Sequence, residues 1–253
     1  MIEGTGMRIL SVTLGLLFAF APPVFAEQRL LVVADEWPPF SGRDLPNQGI
    51  SVDVITAVLT RAGYDVTADI LPWARIMDGS RQGDYDIVGS LFFDAEIAEY
   101  MTYADPFYQT QVKFVAQTGE DVSIGQYSDI AEYSVAVGDG FLYEERFDRD
   151  EALNKVVVTT TTQAMNMVAY GRVDVTLDSQ EVLAHVTNVV APDLKDRLIA
   201  LPFVLAEHAV HMAVRTDLEN SAEIVADFNR VLAEMKKDGS LDALLIKHDP
   251  NRG

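Results

Sequence analysis

Apolar and polar positions along this chain fall into blocks of strand and helix length. Residues 30–34 form a short unbroken apolar run, the mark of a buried strand. Val54, Ile55, Val58, Leu59 and Ala62 then recur at helical spacing until Gly63 stops them, and Ser51 stands where a helix cap is expected. Residues 66–71 read as a second strand. Pro72 suits the first turn of a second helix, which Gly83 ends, and residues 85–91 read as a third, buried strand. Strand, helix, strand, helix, strand at these spacings means crossover units and a parallel sheet.

A weak echo of this unit follows. Gly83-Asp84-Tyr85-Asp86-Ile87 leads from helix into strand, and Gly171-Arg172-Val173-Asp174-Val175 does the same after a helix expected over 162–170. The echo predicts two similar α/β lobes, the second opening on a strand at 133–137 that runs into Gly138-Asp139-Gly140. The clearest helix lies near the C-terminus. There Ile224, Val225, Phe228, Val231, Leu232 and Met235 share one face, Gly239 ends the helix, and Ser240 caps a last short one.

The N-terminus has a different pattern. Met7-Arg8 precedes an apolar core at 9–21, Pro22-Pro23 break it, and Val24-Phe25-Ala26 offers a peptidase exit. The core is about 13 residues, shorter than the ~20 a spanning helix needs. Residues 1–26 are therefore expected to be a signal peptide cleaved after Ala26, leaving about 227 residues for one large or two modest domains. The chain has no cysteine, so it is expected to carry no lipid anchor on an N-terminal cysteine and to be stable through burial alone. A net charge of −20 argues against nucleic acid and anionic lipid as partners. The charges are dispersed, which suits the solubility of an exported protein and leaves a cationic ligand as the other reading.

Seven motifs in order carry a resemblance. They are Trp37-Pro38-Pro39-Phe40; Gly49-Ile50-Ser51-Val52-Asp53; Gly83-Asp84-Tyr85-Asp86; Tyr103-Ala104-Asp105-Pro106-Phe107-Tyr108; Gly171-Arg172-Val173-Asp174 with Asp178; Met212-Ala213-Val214-Arg215; and Phe228-Asn229 with Lys237-Asp238-Gly239. Together they resemble the bacterial extracellular solute-binding proteins of family 3, typified by polar amino acid receptors of ABC transporters. The resemblance implies an α/β, two-lobed periplasmic binding protein fold of type II, with two crossover hinge strands and a ligand cleft between the lobes. The implied division is 27–112 for lobe 1, 113–117 for the first hinge, 118–206 for lobe 2, 207–212 for the second hinge, and 213–253 returning to lobe 1. It also implies a monomer that captures a small molecule by closure, has an ABC permease as partner, and works in the periplasm without a cofactor.

Residue by residue, the resemblance points to Trp37, Phe40 and Trp73 as flat walls, to Gly89, Ser90 and Phe92 after the third strand, to Gly140-Phe141 as amides from lobe 2, and to Asp178 as acceptor for a ligand ammonium. Asp178 has a plainer reading as a helix cap before Ser179-Gln180. The arginine that clamps the carboxylate in amino-acid-binding relatives falls on Ile97 here, which cannot pair with a carboxylate. Arg75 in Pro72-Trp73-Ala74-Arg75 is the replacement cation within reach, or else a solvated partner of Asp78. The expected ligand is a small polar or aromatic molecule, amino-acid-like or cationic, with an aromatic or heterocyclic solute favoured over a simple polar amino acid. An enzyme on the same scaffold, similar to cyclohexadienyl dehydratases, and a sensor feeding a membrane receptor are the rival classes. The histidines 185, 208, 211 and 248 form no metal-binding motif, since His208 and His211 stand three apart on an expected strand and so face opposite sides.

Overall fold

The computed structural model describes Met1 and residues 28–248. The expected signal peptide and its cleavage site lie outside the described residues. Among those described, no helix is long and apolar enough to cross a membrane.

The chain builds one mixed sheet with helices packed around it. Its first unit is β1 (Arg29–Ala34), α1 (Ile50–Ala62), β2 (Asp65–Ile70), α2 (Trp73–Gln82) and β3 (Ile87–Leu91), with β1 parallel to both β2 and β3. A short β4 (Met101–Tyr103) leads to the long β5 (Tyr108–Gln117). The second unit is β6 (Ser134–Gly138), α3 (Glu145–Arg149), β7 (Asn154–Val158), α4 (Thr161–Ala169) and β8 (Val175–Ser179), with β6 parallel to both β7 and β8. α5 (Gln180–His185) follows, then β9 (Leu198–Arg215), α6 (Ser221–Asp238) and α7 (Ser240–His248). The strand order is β2-β1-β3-β9-β5-β8-β6-β7, with β4 on β9.

The two units are copies of one plan, and the repeated Gly…Asp motif shows why. Gly83 and Gly171 both adopt a left-handed conformation, at φ 77° and 64°, after the α2 and α4 helices. Asp86 then accepts the Leu31 amide at 2.9 Å, and Asp174 accepts the Ser134 amide at 2.7 Å. Each aspartate thus ties the start of its unit's third strand to the start of the first.

Two strands join the units. β9 runs antiparallel to β3 at one end, and β5 runs antiparallel to β8 over Val112–Ala116. Between these contacts β5 and β9 pair with each other. α6 buries Ile224, Phe228, Val231, Leu232 and Met235 and packs on α1, so the C-terminal helices cover the first unit. His248 Nε2 lies 2.8 Å from the Asp53 carboxylate and fixes α7 to α1.

Several expectations shift by a residue or two. β3 starts at Ile87 rather than 85, because Tyr85 is taken up packing against α2: a Cβ on Gly79 would stand 2.4 Å from its ring. Ser51 does not cap α1. Gly49 holds that position, and Ser51 lies inside the helix, fully buried, with its hydroxyl on Ser90.

Candidate ligand cleft

In open α/β sheets, ligands bind beyond the carboxyl ends of parallel strands. Both units point those ends toward the same space, a cavity of about 650 Å³ with its mouth included.

The first unit supplies Asp35 and Trp37 just after β1, Trp73 at the start of α2, and Ser90, Leu91 and Phe92 at the end of β3. Trp37 is held by its backbone, which pairs with Ser41, and by Phe40, stacked behind it at 4.3 Å between ring centres. Phe92 meets Trp37 edge-on at 5.3 Å and stacks on His208 of β9 at 4.2 Å. Ser90 is a non-glycine residue at φ 62°, and the β3–β9 register shifts at this point. Its hydroxyl sits between those of Ser41 and Ser51, at 3.2 and 3.0 Å.

The second unit supplies Phe141, Leu142 and Tyr143 from the loop after β6, and Asp178 from β8. Gly138 lets this loop fold back, since a Cβ there would stand 2.5 Å from the Phe141 ring. The Phe141 amide closes the turn onto the Gly138 carbonyl at 3.2 Å, and the Tyr143 hydroxyl accepts the Gly138 amide at 2.9 Å. Asp178 does not cap α5: the Ser179 hydroxyl does so, accepting the Val182 amide.

The two units touch across the cavity. The Trp37 indole donates to Asp178 Oδ1 at 3.4 Å, and a Cβ on Gly140 would lie 3.8 Å from Trp73. His208 Nε2 pairs with the Tyr143 carbonyl, whereas His211 Nδ1 pairs with that of Ala104.

Among the described residues lining the cavity, none is Lys, Arg or His, and two are carboxylic acids. Asp35 is 8% exposed and Asp178 7%. Burial pushes Asp35 up to about 7, and the nearby charges of Glu36 and Asp178 add to the rise. Burial also pushes Asp178 up to about 6, against hydrogen bonds from the Ser179 amide, the Trp37 indole and the Thr161 hydroxyl. Tyr143 is raised by burial and by the Asp178 charge.

Of the side chains expected from sequence, Trp37, Trp73, Ser90, Phe92, Phe141 and Asp178 come together here, and Ile97 forms part of the wall. Four expected residues do not line it, among them Gly140, which lies beside Trp73 with room for a Cβ at 3.8 Å from its ring. Phe40 is fully buried as the backing of Trp37. Gly89 faces α1, where a Cβ would stand 2.8 Å from Ile55. Arg75 is exposed on α2: two residues on from Trp73, it is about 200° around the helix, so the turn that aims Trp73 inward aims Arg75 out. Asp35 and Tyr143 were not anticipated. The signal for Asp35 was present, as an acid directly at the carboxyl end of a buried apolar strand.

The sequence pattern of the bacterial extracellular solute-binding proteins, family 3, matches residues 30–249. The chain belongs to that family. It is 26% identical over 205 residues to the putative amino-acid ABC transporter-binding protein PatH of Vibrio harveyi, covering 79% of each chain. It is 24% identical over 204 residues to the probable amino-acid-binding protein YxeM of Bacillus subtilis (strain 168), covering 79% of this chain and 75% of that one. Among solved structures, a histidine kinase sensor domain similar to periplasmic binding proteins superposes with a TM-score of 0.77 at 19% identity, over 88% of this chain and 96% of that one. An ancestral arginine-binding protein bound to glutamine gives 0.73 at 23% identity, over 89% and 99%. These likenesses establish the two-lobed binding-protein fold for this family 3 member.

Proposed function

We propose that this family 3 protein is a periplasmic solute receptor that closes its lobes over one small molecule, presents it to an ABC-type permease, and performs no chemistry on it. The observation that carries the reading is the composite cavity. Trp37, Trp73 and Phe92 from one lobe and Phe141, Tyr143 and Asp178 from the other form a single space, so a solute bound there favours the closed arrangement. The names of the relatives in Vibrio harveyi and Bacillus subtilis support a transport role. Within this reading the hinge lies at residues 108–111 and 207–210, where β5 and β9 pair only with each other, rather than at the expected 113–117 and 207–212, because 112–116 also pair with β8 and 211 with β3.

Native mass spectrometry of purified protein, with small-angle scattering before and after removal of any bound molecule, tests this. A one-to-one small-molecule adduct and a larger radius of gyration once it is removed are expected. Absence of binding and of any change in dimension overturns the reading. The raised acids Asp35 and Asp178 are also what a general acid requires, so a dehydratase is the competing reading. Incubation with prephenate or arogenate is expected to leave both unchanged.

A further inference from the structure

We propose that the cleft selects an organic ammonium ion without a carboxylate, held by Asp35 and Asp178 within aromatic walls formed by Trp37, Trp73, Phe92 and Tyr143. This rests on the solute-receptor reading and names its ligand class.

The first support is charge. Both lobes contribute a buried carboxylate, and no basic side chain among the described residues lines the cavity to offset either. An unpaired carboxylate out of water is costly unless a cation or hydrogen-bond donors meet it. Asp178 already receives three donors. Asp35 has only its own backbone and is more than nine-tenths buried at the cavity wall, so it is the acid that most needs a partner from outside the protein.

The second support is that the cavity lining offers a ligand carboxylate no basic side chain and few donors. Where such a group would lie against Ile97, Leu91 and Val112 the wall is aliphatic. Three donors that could have served it are committed elsewhere. The Trp37 indole is on Asp178, the Ser90 hydroxyl is on Ser51, and the Phe141 amide closes its own turn. A zwitterion would set its negative end beside two acids and an apolar surface.

The third support is the walls. Electron-rich ring faces attract a desolvated ammonium and pack the apolar body attached to it. Because Asp35 and Asp178 belong to opposite lobes, one ammonium paired to both also draws the lobes together.

Calorimetric titration of purified protein at a pH near 8 tests the inference. The panel is phenethylamine, putrescine and choline against phenylalanine, arginine and glutamate. Phenethylamine differs from phenylalanine only by the carboxylate, and is expected to bind at least tenfold more tightly. Asp35→Asn and Asp178→Asn, with folding confirmed by circular dichroism, are each expected to weaken ammonium binding at least tenfold. Equal or tighter binding of phenylalanine, arginine or glutamate overturns the inference and leaves the receptor reading standing. If nothing in the panel binds and nothing co-purifies with the protein, both fall.

Discussion

Replacing Asp35 by Asn should make the empty protein more stable, and increasingly so as pH rises. A carboxyl moved from 3.8 to about 7 resists ionisation in the closed, folded state by about 4 kcal/mol. As pH rises from about 4, the unfolded chain releases this proton first while the folded form keeps it until about 7. The folded state therefore binds more protons in that window, and its stability falls by up to about 1.4 kcal/mol per pH unit before levelling above about 8. Opening of the lobes rehydrates Asp35 and recovers part of the cost, so the measured gain for Asp35→Asn at pH 8 is expected at about 1–3 kcal/mol. Urea unfolding of both proteins at several pH values between about 4.5 and 8 measures this, and the difference between them cancels the groups they share. The gain should be smallest at the acid end. A gain independent of pH, or a loss at pH 8, would refute the argument that burial of an ionised Asp35 opposes folding.

The remaining predictions are briefer. Affinity for phenethylamine should increase from about pH 5 to pH 8 and level off once Asp178 and Asp35 are ionised, because protons compete with the cation for both acids; a flat calorimetric profile contradicts this. The chain has two tryptophans, Trp37 and Trp73, and both line the cavity, so saturation with ligand should alter intrinsic fluorescence, and Trp73→Phe should reduce the response. Phe228→Ala empties a fully buried site on α6 and should cost about 3–5 kcal/mol in urea unfolding while leaving the choice among panel ligands unchanged.

Much of the fold was legible because it follows from local rules. Gly63, Gly83 and Gly239 stand in left-handed conformations at helix ends, as a residue without Cβ at the end of an apolar stripe implies. The Gly…Asp echo marked the two units because both copies use the same backbone bond. What was not legible depends on faces and on closure. Gly89 backs α1, and Ser90 reaches the cavity in a left-handed conformation where the β3–β9 register shifts, a local irregularity that no periodicity in the sequence marks. Trp73 and Arg75 could not both face inward on one helix, and which of them does is set by the packing of Ile76 and Gly79 in the turn that follows. Asp35 follows a strand as many solvated turn residues do. It is buried instead, at the wall of a cavity that residues 141–143 and 178 help to form.

The repeat also explains why the acids are arranged as they are. The registers Val32–Ile87 in one lobe and Val135–Val175 in the other place Asp86 and Asp174 at matching positions, as their shared bonding confirms. By the same register Ser90 matches Asp178, the fourth residue of β3 and of β8, and Asp35 matches Gly138. Each lobe therefore brings one acid to the cleft, but from a different strand: the first strand in lobe 1 and the third in lobe 2. The matching positions are a serine tied into a hydroxyl cluster and a glycine that yields space to Phe141. Had both lobes kept an acid at both matching positions, each would carry two. The staggered placement gives each lobe a single charge, so a cation satisfies both only when the lobes meet around it.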